Sequence, residues 1–226
     1  KNVASLYIIQ FANYILPLIT VPYLVRVLGP SGYGMVAFGQ SFIAYFVLFI
    51  DYGFTLSATR KISIERNDPI AVSRTAFNVW GAKILLCALS FAMLLLLVSI
   101  VPKLREVDIL LFILYGTAVG NVLFPTWLFQ GMEKMVFISV INLIVQFFVV
   151  IGIFTLVHRP EDYLLYAGLV SLGSIGAGLV GAVVAFFKFK LHPVIPSWRG
   201  IWQALVEGWM LFLSMVSVSL YSVGND

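Results

Sequence analysis

The sequence predicts an all-α fold, a polytopic transmembrane helix bundle, and three observations carry that prediction. Of the 226 residues, 61% are hydrophobic and 11% charged, against roughly 45–50% apolar and about 25% charged in an ordinary soluble domain; the mean hydropathy is +1.02. The apolar runs reach the length of about 20 residues that a helix needs to cross a bilayer core. They are also continuous, as in Ile84 to Val101, whereas a membrane barrel would show alternating segments of about 9–11 residues. With no water in the hydrocarbon, continuous helix satisfies each backbone N–H and C=O within its own segment.

Six full spans and the start of a seventh are expected, at residues 3–28, 33–57, 76–101, 108–130, 136–157, 163–187 and from 204 onward. Residues 1–200 form one N-terminal bundle in this reading, and 201–226 open a second. The first span contains Gln10, Asn13, Pro17 and Thr20 at three- and four-residue steps, which puts them on one helical stripe. Such a stripe either bonds to neighbouring helices around a proline kink or lines a water-filled cavity. The span ends in Pro22 to Gly34, PYLVRVLGPSGYG, where Gly29-Pro30 breaks the helix and hands over to the second span.

The fourth span holds Gly116, Gly120, Asn121 and Pro125, is read as kinked, and ends in the interfacial anchor Trp127-Leu128-Phe129-Gln130. The fifth repeats a polar stripe with Ser139, Asn142 and Gln146. In the sixth, Ser174, Gly178 and Ala182 form one four-residue ladder of small side chains and Ala177, Gly181 and Ala185 another, so close helix packing is expected there. The chain does not begin with Met, and its last run stops at Gly224-Asn225-Asp226, so it reads as a fragment. A cleaved signal peptide is not expected, because the first apolar stretch runs past Leu24 without a small-residue cleavage pattern.

Lysine and arginine placement sets the orientation. The N-terminus and the loops after spans two, four and six hold Lys1, Arg60, Lys61, Arg66, Arg74, Lys134, Lys188, Lys190 and Arg199; the other loops hold Arg26, Lys103, Arg105 and Arg159. Nine against four places the N-terminus in the cytoplasm. The net charge of +4 is therefore topological, and no nucleic-acid partner is expected.

Charges within the spans are the strongest functional signal, since each costs at least about 2.5–3.5 kcal/mol at mid-bilayer on insertion scales. Arg26 either snorkels to the headgroups or faces a cavity. Asp51 lies nine residues before Arg60 and Lys83 nine after Arg74, so both sit about 13 Å in from the same membrane face. An Asp51–Lys83 pair is expected, either as a structural bridge or as a titratable group in a transport path. Glu207 lies near the start of the last run.

No catalytic residue, metal site or cofactor is expected. His158 and His192 fall on opposite sides of the membrane, Cys87 is alone in an apolar run, and no phosphate loop, nucleophile elbow or Cys/His ligand spacing occurs.

Four segments together, Pro22 to Gly34, Asp51 to Arg60 (DYGFTLSATR), Phe124 to Met135 (FPTWLFQGMEKM) and Ser219 to Ser222, resemble the Wzx-type polysaccharide flippases of the multidrug/oligosaccharidyl-lipid/polysaccharide exporter superfamily. The resemblance covers nearly the whole chain. It implies a non-enzymatic transporter of two helix bundles around a central cavity, in the bacterial inner membrane. Its substrate would be an undecaprenyl-pyrophosphate-linked oligosaccharide, an O-antigen or related repeat, moved to the periplasmic leaflet. The expected partners are that lipid-linked substrate, membrane lipids, a coupling ion (proton or sodium) and a polysaccharide polymerase.

On this reading Arg26 and Lys83 give a substrate cavity positive potential, Gln10, Asn13, Asn142 and Gln146 line it, and Asp51 is the ion-coupling candidate. The competing readings are a drug or small-cation exporter of the same superfamily, and a membrane-embedded enzyme or assembly partner in polysaccharide synthesis.

Overall fold

The computed structural model describes the backbone of residues 3–223 and the side chains of residues 15–209 and of Phe212. Ten α-helices follow one another and no strand occurs among the described residues: α1 (Val3–Asp51), α2 (Phe54–Glu65), α3 (Pro69–Ile100), α4 (Pro102–Arg105), α5 (Asp108–Leu114), α6 (Gly116–Leu123), α7 (Thr126–Gly131), α8 (Val136–Leu156), α9 (Tyr163–Lys188) and α10 (Trp198–Val223). Among the described residues, five helical runs are long and apolar enough to cross a membrane: Ile15–Glu65, Pro69–Ile100, Asp108–Gly131, Val136–Leu156 and Pro160–Lys188.

The first of these runs is two legs. Gly29 adopts φ 72°, ψ 165° inside α1, a conformation glycine reaches at no steric cost, and Pro30 begins the next leg with its φ preset for helix. Thr20 and Leu24 of the first leg line the same groove as Gln40 of the second. A straight helix would hold residues 20 and 40 about 30 Å apart, so the chain folds back at Gly29. The turn packs on the end of α8: the Tyr23 hydroxyl donates to the Val157 carbonyl at 2.8 Å, and the ring of Tyr23 lies 4.4 Å from that of Phe154. There the Asp162 carboxylate accepts from the backbone N–H groups of His158 and Arg159, each at 2.8 Å.

At the opposite end the second leg stops at Asp51, six residues before the expected limit of span two. Tyr52 and Gly53 both take positive φ, 46° and 78°, and α2 starts in a new direction. The apolar pattern runs on through Phe54 and Leu56, which is why hydropathy alone extended the span. Phe54, Ala58 and Ile62 of α2 are buried, against α7 and α3. Asp68 then caps α3, accepting from Ile70 N–H at 2.9 Å and Ala71 N–H at 3.1 Å, with Pro69 in the first helical position. This cap starts α3 seven residues earlier than expected. At 32 residues the helix is about 48 Å long, more than the roughly 30 Å hydrocarbon layer.

The expected fourth span is three short helices, with breaks at Tyr115 and at Phe124-Pro125. It lies tightly against α9. The Ser171 and Ser174 hydroxyls donate to the carbonyls of Ile113 and Thr117 at 2.6 and 3.1 Å. A Cβ at Gly120 would overlap the backbone of Ser174, one at Gly178 would come 2.6 Å from the Gly120 carbonyl, and one at Gly181 would come 2.7 Å from the ring of Phe124. Gly178 of the α9 ladder thus packs directly on the α6 backbone, and Gly181 makes room for the Phe124 ring.

The α2 end gathers the three ion pairs found among the described residues: Arg66–Glu133 at 2.7 Å, Lys61–Glu207 at 3.3 Å and Lys83–Asp51 at 3.5 Å. Helix α10 is seated there on α2 and α3. The ring of Tyr52 stacks on Phe212 at 4.8 Å, and Gly208 leaves room for the Tyr52 carbonyl, which a Cβ would meet at 2.8 Å.

Candidate functional site: a polar groove and a buried ion pair

A groove of about 410 Å³ runs between the two legs of α1, α8 and α9. Its apolar walls include Leu24, Val149, Ile153 and Val170, and its polar groups are Thr20, Gln40, Asn142, Gln146, Tyr166 and Ser174. Pro17 lies in its lining and cannot donate a helical N–H, and the Thr20 hydroxyl bonds back to the Leu16 carbonyl. Among the described residues, no lining side chain is ionised near neutrality. Uncharged amide and hydroxyl groups on an apolar floor suit a neutral, hydroxyl-rich ligand, and they lack the fixed charge that would hold a bare ion.

The sequence-predicted residues separate into distinct places. Asn142 and Gln146 share the groove. The side chains of Gln10 and Asn13 lie outside the described residues. Arg26 is exposed, on the side of its leg away from the buried Leu24 and Leu28, and is not in the groove lining. Gln40 and Tyr166 were missed, because neither belongs to a run of amide residues at helical spacing like that of Gln10 and Asn13 or of Asn142 and Gln146.

Lys83 and Asp51 come together, 3.5 Å apart. Lys83 is 1% exposed, and its ammonium finds three acceptors: Asp51 Oδ1, the Asn121 carbonyl at 3.1 Å and Asn121 Oδ1 at 3.0 Å. An ammonium has three protons, so the charge is fully hydrogen-bonded. Asp51 in turn accepts from the Thr55 hydroxyl at 2.8 Å. The Asn121 carbonyl is free because Pro125, four residues on, has no N–H to give it. One cation therefore ties α1, α3 and the proline break of the fourth span into a single junction. Burying a lone ammonium costs several kcal/mol, so the junction holds only while all these partners stay in place.

A bundle of bilayer-length helices enclosing a polar groove and a buried, fully paired charge defines a multi-pass helical membrane protein. The sequence pattern of the polysaccharide biosynthesis protein family matches residues 1–226, and the chain belongs to that family. Two curated relatives share the name "Putative O-antigen transporter". The one from Escherichia coli (strain K12) is 30% identical over 224 residues, covering 99% of this chain and 54% of its own length. The one from Shigella dysenteriae is 31% identical over 230 residues, covering 100% of this chain and 56% of its own. The chain thus spans about half the length of the curated relatives it matches. No solved structure matches it.

Proposed function

We propose that this chain is the N-terminal bundle of a flippase that moves lipid-linked oligosaccharide across a bacterial inner membrane. The observation that carries the reading is the groove of Thr20, Gln40, Asn142, Gln146, Tyr166 and Ser174, whose uncharged donors and acceptors match sugar hydroxyls. The family membership and the relatives named as O-antigen transporters support the same reading. The N-terminus is cytoplasmic in this proposal, the α2 end faces the cytoplasm and the Gly29 turn faces the periplasm. Residues 201–226 open the second bundle.

The substrate is an undecaprenyl-pyrophosphate-linked repeat unit. Its glycan enters the polar groove, its pyrophosphate is attracted by exposed cations such as Arg26, and its polyprenyl tail stays in lipid. Lys83 acts through the junction with Asp51 and Asn121 rather than by touching substrate, and Asp51 is the group whose protonation or cation binding would loosen that junction. No covalent chemistry is required of the chain, and a polymerase would receive the flipped unit. A drug or small-cation exporter is less well supported, since no carboxylate lines the groove among the described residues.

The test is complementation of a strain lacking its O-antigen transporter, using the full-length protein with Gln40→Leu, Asn142→Leu and Gln146→Leu, at matched expression. Loss of surface glycan without loss of folded protein is expected. Wild-type glycan from the triple variant would overturn the reading.

A further inference from the structure

A second groove, of about 640 Å³, lies between α3, α6 and α9, bounded at the α2 end by Pro193 and Pro196 of the connection from α9 to α10. Its lining is apolar, with Phe77, Trp80, Ile84, Leu123, Val183 and Phe187 prominent. It uses a different stretch of α9 from the polar groove, residues 182–187 rather than 166–177.

Two features distinguish it from an ordinary lipid-facing surface. Its roof is fixed: His192 N–H donates to the Ser73 hydroxyl at 3.0 Å, and Ser197 N–H donates to the Asn78 side-chain oxygen at 3.1 Å, so residues 192–197 are tied across the top of α3. Two exposed cations flank that roof in sequence: Arg74 adjoins Ser73 and precedes Phe77, Gly81 and Ile84 at helical spacing, which puts it on the same stripe, and Lys190 lies two residues before His192. None of the ion pairs among the described residues uses Arg74 or Lys190. Lys188 is engaged elsewhere, its ammonium 5.8 Å from the centre of the Phe137 ring. From Arg74 to Ile84 the stripe descends about 15 Å, half of a roughly 30 Å hydrocarbon core.

We propose that this groove binds one anionic glycerophospholipid of the surrounding bilayer, its phosphate at Arg74 and Lys190 and one acyl chain lying along Phe77, Trp80 and Ile84. The complementarity is of charge at the rim and of apolar length below it: a cationic end, then one leaflet's depth of aromatic and aliphatic wall, is the inverse of such a lipid. The bound lipid splints the connection before α10 to α3. Basic residues at the membrane end of a groove between transmembrane helices recognise anionic headgroups in this way.

The experiment measures thermal unfolding of the full-length protein in detergent, titrated with phosphatidylglycerol, with phosphatidylethanolamine of the same chains, with a polyprenyl phosphate, and with glycerophosphoglycerol as a chain-free headgroup. Phosphatidylglycerol is expected to raise the unfolding temperature and glycerophosphoglycerol not to. Arg74→Gln and Lys190→Gln, both at exposed positions, should each weaken phosphatidylglycerol about five-fold and phosphatidylethanolamine less, because its ammonium already offsets its phosphate.

Val183→Trp, which fills the groove from an exposed position, should weaken both lipids. Phosphatidylglycerol brominated along its chains should quench tryptophan fluorescence in the wild type and less in Trp80→Phe, which reads occupancy without relying on stability. Equal affinity for the two phospholipids, an effect of the chain-free headgroup matching that of the lipid, binding of the polyprenyl phosphate alone, or quenching that Trp80→Phe does not reduce would each overturn the proposal. A failed complementation test of the polar groove would leave this result untouched.

Discussion

The Lys83 ammonium stands 3.1 Å from the Asn121 carbonyl, the oxygen that Pro125 leaves without a helical N–H. The proline break and the buried lysine answer each other: the break frees an acceptor inside the membrane, and the lysine needs one. Asp51 supplies the countercharge from the end of α1, where Tyr52 and Gly53 turn the chain into α2.

This junction predicts an asymmetry among substitutions. Asp51→Leu alone leaves Lys83 buried and short of one partner, a change expected to cost about 3–5 kcal/mol. Lys83→Met alone removes the buried charge and should cost less. The double variant Asp51→Leu/Lys83→Met should recover most of the loss, because an apolar pair of similar volume often replaces a buried ion pair at no net cost. Thermal unfolding of the three purified full-length variants checks this, and a double variant no more stable than Asp51→Leu would refute it. Transport by a stable double variant then separates a structural pair from a coupling one: retained transport rules out Asp51 as the coupling group.

The α6–α9 contact predicts that volume matters at some glycines and not at others. Gly120→Ala must push a methyl group into the backbone of Ser174, and Gly178→Ala into the Gly120 carbonyl. Each should destabilise by about 1–3 kcal/mol, the usual range for overpacking. Gly168→Ala is the control, since nothing lies within 4 Å of a Cβ there; it should be neutral or slightly stabilising. Unfolding midpoints of the three variants decide the matter, and equal behaviour would show that α6 and α9 are not in backbone contact.

Much of this fold can be read from the chain because apolar length and bilayer thickness are the same constraint. The turn at Gly29-Pro30, the Asp51–Lys83 pair and the packing ladder of α9 all follow from spacing. Helix α2 was not separable by hydropathy: Phe54 and Leu56 extend the apolar run beyond Asp51, and the break depends on the positive φ of Tyr52, which no residue preference announces. The early start of α3 was legible in Asp68-Pro69 as a helix cap, a local signal that a span-length window passes over. Asn121 was also legible, four residues before Pro125, once the question is which carbonyl a proline strands. The polar groove was only half visible, because Gln40 and Tyr166 reach it from helices whose relative rotation is a tertiary fact.

Arg26 predicts a separation of stability from transport. It is exposed and away from the buried face of its leg, so Arg26→Gln should leave the unfolding free energy within about 0.5 kcal/mol of wild type, as surface changes usually do. If its charge draws an anionic substrate toward the Gly29 end, surface glycan should fall in Arg26→Gln and return in Arg26→Lys. Wild-type glycan from Arg26→Gln would make the residue a headgroup anchor.

The seat of α10 predicts which of its contacts hold it. Lys61 and Glu207 lie 3.3 Å apart, but their side chains are 34% and 38% exposed, and such a pair is worth about 0–1 kcal/mol because solvent screens it and two long side chains must be ordered. Gly208 sits against the Tyr52 carbonyl, and Tyr52 stacks on Phe212, where overpacking costs about 1–3 kcal/mol. Gly208→Val should therefore loosen α10 more than Lys61→Ala does. Hydrogen exchange across residues 198–209 of the full-length protein is the measurement, with faster exchange expected in Gly208→Val and near-wild-type exchange in Lys61→Ala. Since Tyr52 follows Asp51 directly, a displaced α10 should also disturb the Lys83 junction. A lowered unfolding midpoint in Gly208→Val that is no longer additive with Asp51→Leu would show that the two sites are coupled through that one turn of chain.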